Sequence, residues 1–269
     1  MDSRKNSMLR NKTALITGSS RGIGLGVARA FALQGARVVL TSEHPRDNIP
    51  EADESLKLSG TYYVQADLSQ DSEAQRLVAE AWDRLGTIDI VVNNLGTFRE
   101  PGFLELTRQH FDFLFHVNVW SAIAVTREFA RRRIDEKRGG RILFSSSLNA
   151  TRSEPAHTLY DASKGAINAL TRQLAVELAP YGFTTAAIAP GLVETPLTDF
   201  GMRSDPATRK TIEAQIPVRK IAKVEDVAPW YVFLASDAAC YATGTIIAVD
   251  GGLDAQQMAM RPITENERG

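Results

Sequence analysis

The chain has 269 residues, 43% of them apolar and 23% charged, and a net charge of −1. That balance supplies a sizeable core and sets aside strong attraction to nucleic acid or an anionic membrane. A single cysteine, Cys240, excludes an internal disulfide and a cysteine-cluster metal site, and His44, His110, His116 and His157 lack metal-ligand spacing.

From the N-terminus, MDSRKNSMLRNK is charged without an apolar stretch, and no apolar run anywhere reaches bilayer-spanning length, so a soluble cytoplasmic protein is expected. TALIT (13–17) reads as a buried strand, and residues 22–34 follow with Ile23, Val27, Ala30 and Phe31 on one helical face. RVVLT (37–41) and TYYVQA (61–66) are the second and third strands. Between them, 42–60 holds two prolines and little apolar periodicity, which predicts a short or irregular helix. An amphipathic helix over 70–85 carries Leu77, Val78, Ala81 and Trp82 and leads to a fourth strand, IDIVVN (88–93). A long helical pattern at 107–136 precedes the strand RILFSS (141–146). Another at 159–179 precedes TTAAIA (184–189), a helix fits 224–235, and TIIAVD (245–250) is the seventh strand.

Strand–helix alternation predicts an α/β fold of Rossmann type, doubly wound, with a seven-stranded, mainly parallel sheet covered on both faces. With no linker or repeat, residues 1–269 are expected to form one domain, its core spanning about 12–254 between a short N-terminal extension and a C-terminal tail without clear pattern. The polar segment 193–210 reads as a loop at the carboxyl end of the sixth strand, where such folds place ligands.

TGSSRGIG (17–24) joins the first strand to the first helix. Gly18 permits a tight turn, Gly22 a close backbone approach to phosphate, and Gly24 close helix–strand packing. The helix then turns its free N–H groups toward a pyrophosphate. A glycine motif alone is weak evidence, but its place after the first strand favours nucleotide binding over a merely structural turn.

The glycine spacing, NNLG (93–96), Asn118, Ser147, YDASK (160–164) and PGLVET (190–195) together resemble the short-chain dehydrogenase/reductase family over about 12–254. The resemblance implies a catalytic tetrad. Tyr160 would be the general acid in reduction and base in oxidation. Lys164 would bind the nicotinamide ribose and lower the tyrosine pKa. Ser147 would hold the substrate oxygen, and Asn118 would position a water linking Lys164 to solvent. Among the consecutive serines, the family's interval of thirteen residues before the tyrosine favours Ser147 over Ser146, while Ser145 is assigned to the strand. Independently, residues four apart share a helix face, so Tyr160 and Lys164 can converge. A phenol near its usual ~10 is a poor base at neutral pH, and a neighbouring ammonium lowers it.

The same resemblance implies cofactor contacts at Gly18, Ser20, Arg21, Gly22, Ile23, Gly24, Ser42, Asp67, Leu68, Asn94, Gly96, Pro190, Gly191, Val193 and Thr195, with Tyr160 and Lys164 at the nicotinamide end and Asn93 close by. Asp67 could instead cap the following helix. Leu95 stands where the family usually has alanine. The implied cofactor is NAD(P)(H). Ser42 in place of aspartate, together with Arg21, favours NADP; Glu43 would repel a 2′-phosphate, and Arg46 could compensate.

The substrate pocket is expected between 97–103, 148–158 and 192–205. Arg152, Glu154 and His157 could reach a polar substrate or remain solvated, and Phe98, Phe103 and Leu192 could accept an acyl or ring group. The basic run at 127–141 reads as a solvated helix end rather than a nucleic-acid surface. The expected activity is hydride transfer between NAD(P)(H) and a carbonyl or secondary-alcohol substrate, with 3-oxoacyl-carrier-protein reduction one candidate. A nucleotide-binding redox sensor without turnover, or a lyase or epimerase using nicotinamide transiently, is the alternative. The resemblance further implies a homodimer or homotetramer built on the long helices, with no metal, membrane or nucleic-acid partner.

Overall fold

The computed structural model describes residues 7–198 and 205–256. Seven strands form one sheet: β1 (Thr13–Ile16), β2 (Arg37–Ser42), β3 (Thr61–Gln65), β4 (Ile90–Asn93), β5 (Arg141–Ser145), β6 (Thr184–Pro190) and β7 (Thr245–Val249). Their order is β3-β2-β1-β4-β5-β6-β7, and every neighbouring pair is parallel. The sequence expectation of a mainly parallel sheet is met by an all-parallel one. Strand order reverses between β1 and β4, which opens a crevice at the carboxyl ends of the strands.

Helices cover both faces: α1 (Gly22–Leu33), α2 (Asp53–Leu56), α3 (Glu73–Leu85), α4 (Arg108–Phe115), α5 (Ser121–Asp135), α6 (Thr158–Glu177), α7 (Pro206–Gln215) and α8 (Val224–Ala235). Successive strand residues point to opposite faces and so divide the core in two. Ile16, Val38, Leu40, Val92 and Ile188 pack with Val27 and Phe31 of α1 and Tyr231 of α8. Leu15, Val39, Val91, Phe144 and Ala187 pack with Leu77 of α3, Phe129 of α5 and Ile167 of α6. This two-sided burial explains why β1 and β4 read as unbroken apolar runs.

The segment after β2, expected to hold a short or irregular helix, folds into short turns and the single-turn α2. Two other stretches differ from the sequence expectation. The expected helix at 107–136 is α4 and α5 joined by a wide turn at His116–Trp120. The polar segment expected as loop contains α7, where Pro206 occupies the first turn and the Asp205 carboxylate accepts from the Ala207 and Thr208 amides. Residues 199–204 of the expected substrate wall, and the tail from 257, lie outside the described residues.

Candidate active site

The glycine turn is built against the ends of β2 and β4. Gly18 and Gly22 adopt φ of +60° and +57°, a region that L side chains rarely occupy. A Cβ on Gly18 would lie 2.8 Å from the Leu95 backbone, and one on Gly24 would lie 2.4 Å from the Gly18 carbonyl. Ser19 fixes the turn: its hydroxyl donates to the Ile16 carbonyl at 2.7 Å and accepts from the Thr41 amide at 2.9 Å. Thr17 does the same on the other side, its Oγ1 accepting from the Asn94 and Leu95 amides at 3.0 and 3.1 Å. Neither residue was singled out in the sequence, since their partners lie on other strands.

Arg21 caps α1 with no side-chain hydrogen bond, and the first turn of α1 contains no acidic residue. Its amides are therefore left to an anion. Ser20 is buried, and Ile23 packs partly against the core. Thr195 lies across Gly22, where an added Cβ would meet its side chain at 3.6 Å. The PGLVET segment thus faces the glycine turn. Gly191 permits this path, because a Cβ there would lie 2.8 Å from Asp250 Cα. Pro190 ends β6, and Val193 is buried beside Ala222.

At the β2 end, the Ser42 hydroxyl bonds the Tyr63 phenol at 2.9 Å, and that phenol also donates to the His44 carbonyl. Glu43 pairs with His44 at 3.2 Å. Arg46, expected to compensate for Glu43, instead pairs with Asp53 at 2.7 Å. The Arg21 side chain has no hydrogen bond or ion pair among the described residues, although its carbonyl accepts from the Leu25 amide at 3.3 Å. The Asp67 carboxylate accepts from the Ser69 amide and hydroxyl at 3.0 and 2.7 Å, and these bonds hold it below its usual range. It closes its own turn rather than capping α3, which starts six residues later at Glu73. Leu68 is buried in the core, and Leu95 packs partly against the same cluster.

The asparagines at the β4 end divide. Asn93 turns away and donates to Thr126 of α5 at 2.9 Å. Asn94 stays, donating to the Gly18 carbonyl at 2.9 Å and accepting from the Ser145 hydroxyl at 3.0 Å. Gly96 leaves room for two of the implied tetrad, since its Cβ would lie 3.3 Å from Lys164 Nζ and 3.4 Å from Asn118 Oδ1. Asn118 sits in the wide turn, accepts from the Thr97 amide and donates to its carbonyl, both at 2.8 Å, and donates to Ser163 at 3.0 Å.

Tyr160 and Lys164 share one face of α6, with Lys164 Nζ 5.6 Å from the Tyr160 ring centre. The Lys164 amine donates to the Ser145 carbonyl at 2.9 Å, and burial pushes its pKa down to about 8. Burial pushes the Tyr160 phenol up, while a hydrogen bond with Ser147 works against that rise. The direction is opposite to the one expected from an adjacent ammonium, because desolvation of the phenolate, with the nearby Asp161 and Glu154 carboxylates, outweighs the Ser147 bond. Ser147 also accepts from the Asn149 amide at 3.1 Å, whereas Ser146 turns to Asn168 at 2.6 Å. Ser145, assigned to the strand, ends β5 and links three elements through Asn94, Lys164 and Tyr231, whose phenol lies 2.7 Å away.

Phe98 and His157 ring the phenol, with centroids 6.0 and 5.8 Å from it. Of the polar residues proposed for substrate, Arg152 is held by Asp254 at 3.0 Å, and His157 pairs with Glu154 at 3.7 Å. Phe103 is exposed, and Leu192 packs beside Ile216 and Ile221. No helix among the described residues is long and apolar enough to cross a membrane, and no group of metal-ligating side chains converges among them.

Residues 18–254 match a family model described as enoyl-(acyl carrier protein) reductase. Oxidoreductase UcpA of Salmonella typhimurium is 38% identical over 251 residues, spanning 91% of this chain and 95% of UcpA. An L-rhamnose 1-dehydrogenase (NAD(P)(+)) of Azotobacter vinelandii is 34% identical, spanning 91% of this chain and 98% of the relative. The crystal structure of a candidate 2-deoxy-D-gluconate 3-dehydrogenase from Agrobacterium tumefaciens, with bound NADP, superposes with a TM-score of 0.83 at 31% identity, covering 93% of this chain and all of that one.

Proposed function

Because the chain belongs to the short-chain dehydrogenase/reductase family and is an NAD(P)-dependent oxidoreductase, we propose that it interconverts a ketone and a secondary alcohol with Tyr160 as general acid and base. The carrying observation is Tyr160 and buried Lys164 one helical turn apart on α6, the amine 5.6 Å from the phenol ring centre, with Ser147 near enough to the phenol to lower its pKa. The glycine turn, the uncapped start of α1 and Thr195 would hold the dinucleotide, with Asp67 and Leu68 toward its adenine and Asn94, Gly96, Pro190, Gly191 and Val193 toward its nicotinamide. When bound, the nicotinamide supplies or accepts a hydride at C4.

The remaining chemistry belongs to the chain. Ser147 donates a hydrogen bond to the substrate oxygen as negative charge grows there. Tyr160 gives its proton to that oxygen in reduction and removes it in oxidation. Lys164 supplies positive charge beside the phenolate left behind, and Asn118 braces the Thr97 backbone next to the lysine. An Arg21 side chain without a partner among the described residues, and a structural relative with bound NADP, favour NADP; Glu43, the group that would oppose a 2′-phosphate, lies 3.2 Å from the His44 ring. Two ring side chains beside the phenol suit a substrate with an apolar or cyclic body next to the carbonyl. Exposed Phe113, Trp120 and Val176 on the α4, α5 and α6 region suit a homodimer or homotetramer, which sedimentation velocity would refute by finding a monomer.

The test is a cofactor-linked absorbance screen of ketones and alcohols with both nicotinamides. A substrate should emerge with higher kcat/KM for NADPH than NADH, and Tyr160→Phe should lower its kcat by roughly 10²–10⁴. Near-normal turnover by Tyr160→Phe would remove the acid/base assignment. Cofactor binding with no turnover across the panel would point to a redox sensor instead.

A further inference from the structure

The start of α6 lacks a local cap. His157, the residue before the helix, makes no capping hydrogen bond with its side chain, although an α-helix leaves its first amides without partners. Those amides are claimed from far away in the sequence. Glu100 Oε2 accepts from the Leu159 amide and Oε1 from the Tyr160 amide, each at 2.8 Å. We propose that Glu100 is a positioning residue, a borrowed cap that fixes the helical turn bearing Tyr160 and so aims the phenol at Ser147. This rests on Tyr160 being the acid/base group.

Three features support the assignment. A carboxylate is the side chain best suited to a helix N-terminus, where it meets both free N–H groups and the positive end of the dipole. Both oxygens are used, so the bond fixes orientation as well as distance. The stretch from Gly96 to Glu100 also touches each neighbouring element in turn. Gly96 abuts Lys164, Thr97 is bonded by Asn118, and the Phe98 ring lies against Tyr160 and His157. Glu100 closes this stretch onto the helix, so the wall of the substrate pocket and the proton donor are held as one unit.

The experiment reads Tyr160 directly. Phenolate absorbance is titrated in the wild type and in Tyr160→Phe, and the difference isolates one phenol; the pair is then repeated with Glu100→Ala and with Glu100→Gln. The other charged or titratable groups around the phenol, Lys164 and Asp161 on α6, Glu154 and His157 before it and Tyr231 on α8, are the same in every pair. In the wild type the Tyr160 midpoint should lie above the usual ~10. Glu100→Ala should bring it back toward ~10 as the ring is released, and amides at the start of α6 should exchange roughly fivefold faster. Glu100→Gln keeps one acceptor oxygen, enough for one of the two amides, and should restore part of both effects. An unchanged midpoint and unchanged exchange in Glu100→Ala would overturn the proposal, as would a glutamine variant no better than alanine. If Glu100→Ala does not fold, Glu100→Asp, too short to reach both amides, carries the same comparison. Retained turnover in Tyr160→Phe would defeat the acid/base role, while the titration would still decide whether Glu100 places the phenol.

Discussion

Lys164 should destabilise the protein that needs it. The side chain is 5% exposed, and burial lowers its pKa from 10.5 to about 8. The interval between those values corresponds to about 3 kcal/mol. Below about pH 8 the folded and unfolded chains both carry the proton, and the folded state bears the full cost of a buried ammonium. Between about pH 8 and 10.5 the unfolded chain keeps a proton that the folded chain has lost, so stability rises with pH. Lys164→Met keeps the length of the side chain and removes the charge. It also removes the bond to the Ser145 carbonyl, a loss of about 1–2 kcal/mol. The net gain at pH 7 should be about 1–2 kcal/mol, which raises Tm by roughly 2–6 °C for a chain of this size. Thermal unfolding of both proteins, followed by circular dichroism without cofactor, measures it. The gap should narrow or reverse by pH 10, and turnover should be lost at every pH. A methionine variant less stable at pH 7, or a gap of equal size at both pH values, would refute the assignment of this cost to the buried charge.

Two further outcomes separate neighbouring side chains. Ser147→Ala should lower kcat by roughly 10²–10³, whereas Ser146→Ala, which loses only the Asn168 contact, should leave kcat close to wild type; steady-state kinetics on the same substrate decides between the serines. Arg21→Ala should raise KM for NADPH roughly tenfold and leave KM for NADH nearly unchanged, since only a phosphate gains from the guanidinium; equal effects on the two cofactors would place Arg21 away from the 2′-position.

The parts of the structure legible in the sequence are those set by short-range pattern. All seven strands lie within a few residues of the runs expected for them; for β1 and β4, buried along their whole length, two-sided burial demands continuous apolar sequence. Tyr160 and Lys164 could be paired from helical spacing alone. The signal for α7 was present in Asp205 followed by Pro206, but the polar composition of the segment hid it. Long-range bonds were not legible. Glu100 reads as one more charged loop residue until its carboxylate is seen to hold the Leu159 amide at the start of α6, fifty-nine positions later. Thr17 and Ser19 look like ordinary polar residues of a turn, although each ties the turn to a different strand. Asp67 had the right residue type for a helix cap and too much chain between it and the helix.

Ser145 also bears on how this site tolerates change. What holds the Lys164 amine is the carbonyl of residue 145, a group that every amino acid carries. Its location follows from the β5 register against β4 and β6, not from the side chain at that position. A substitution at 145 can therefore disturb the Asn94 and Tyr231 bonds without displacing the lysine. Shifting the ladder by one residue would displace it even with every side chain retained. The coordinates of the amine are, in effect, an address in the sheet, and variation in the surrounding side chains leaves that address unchanged.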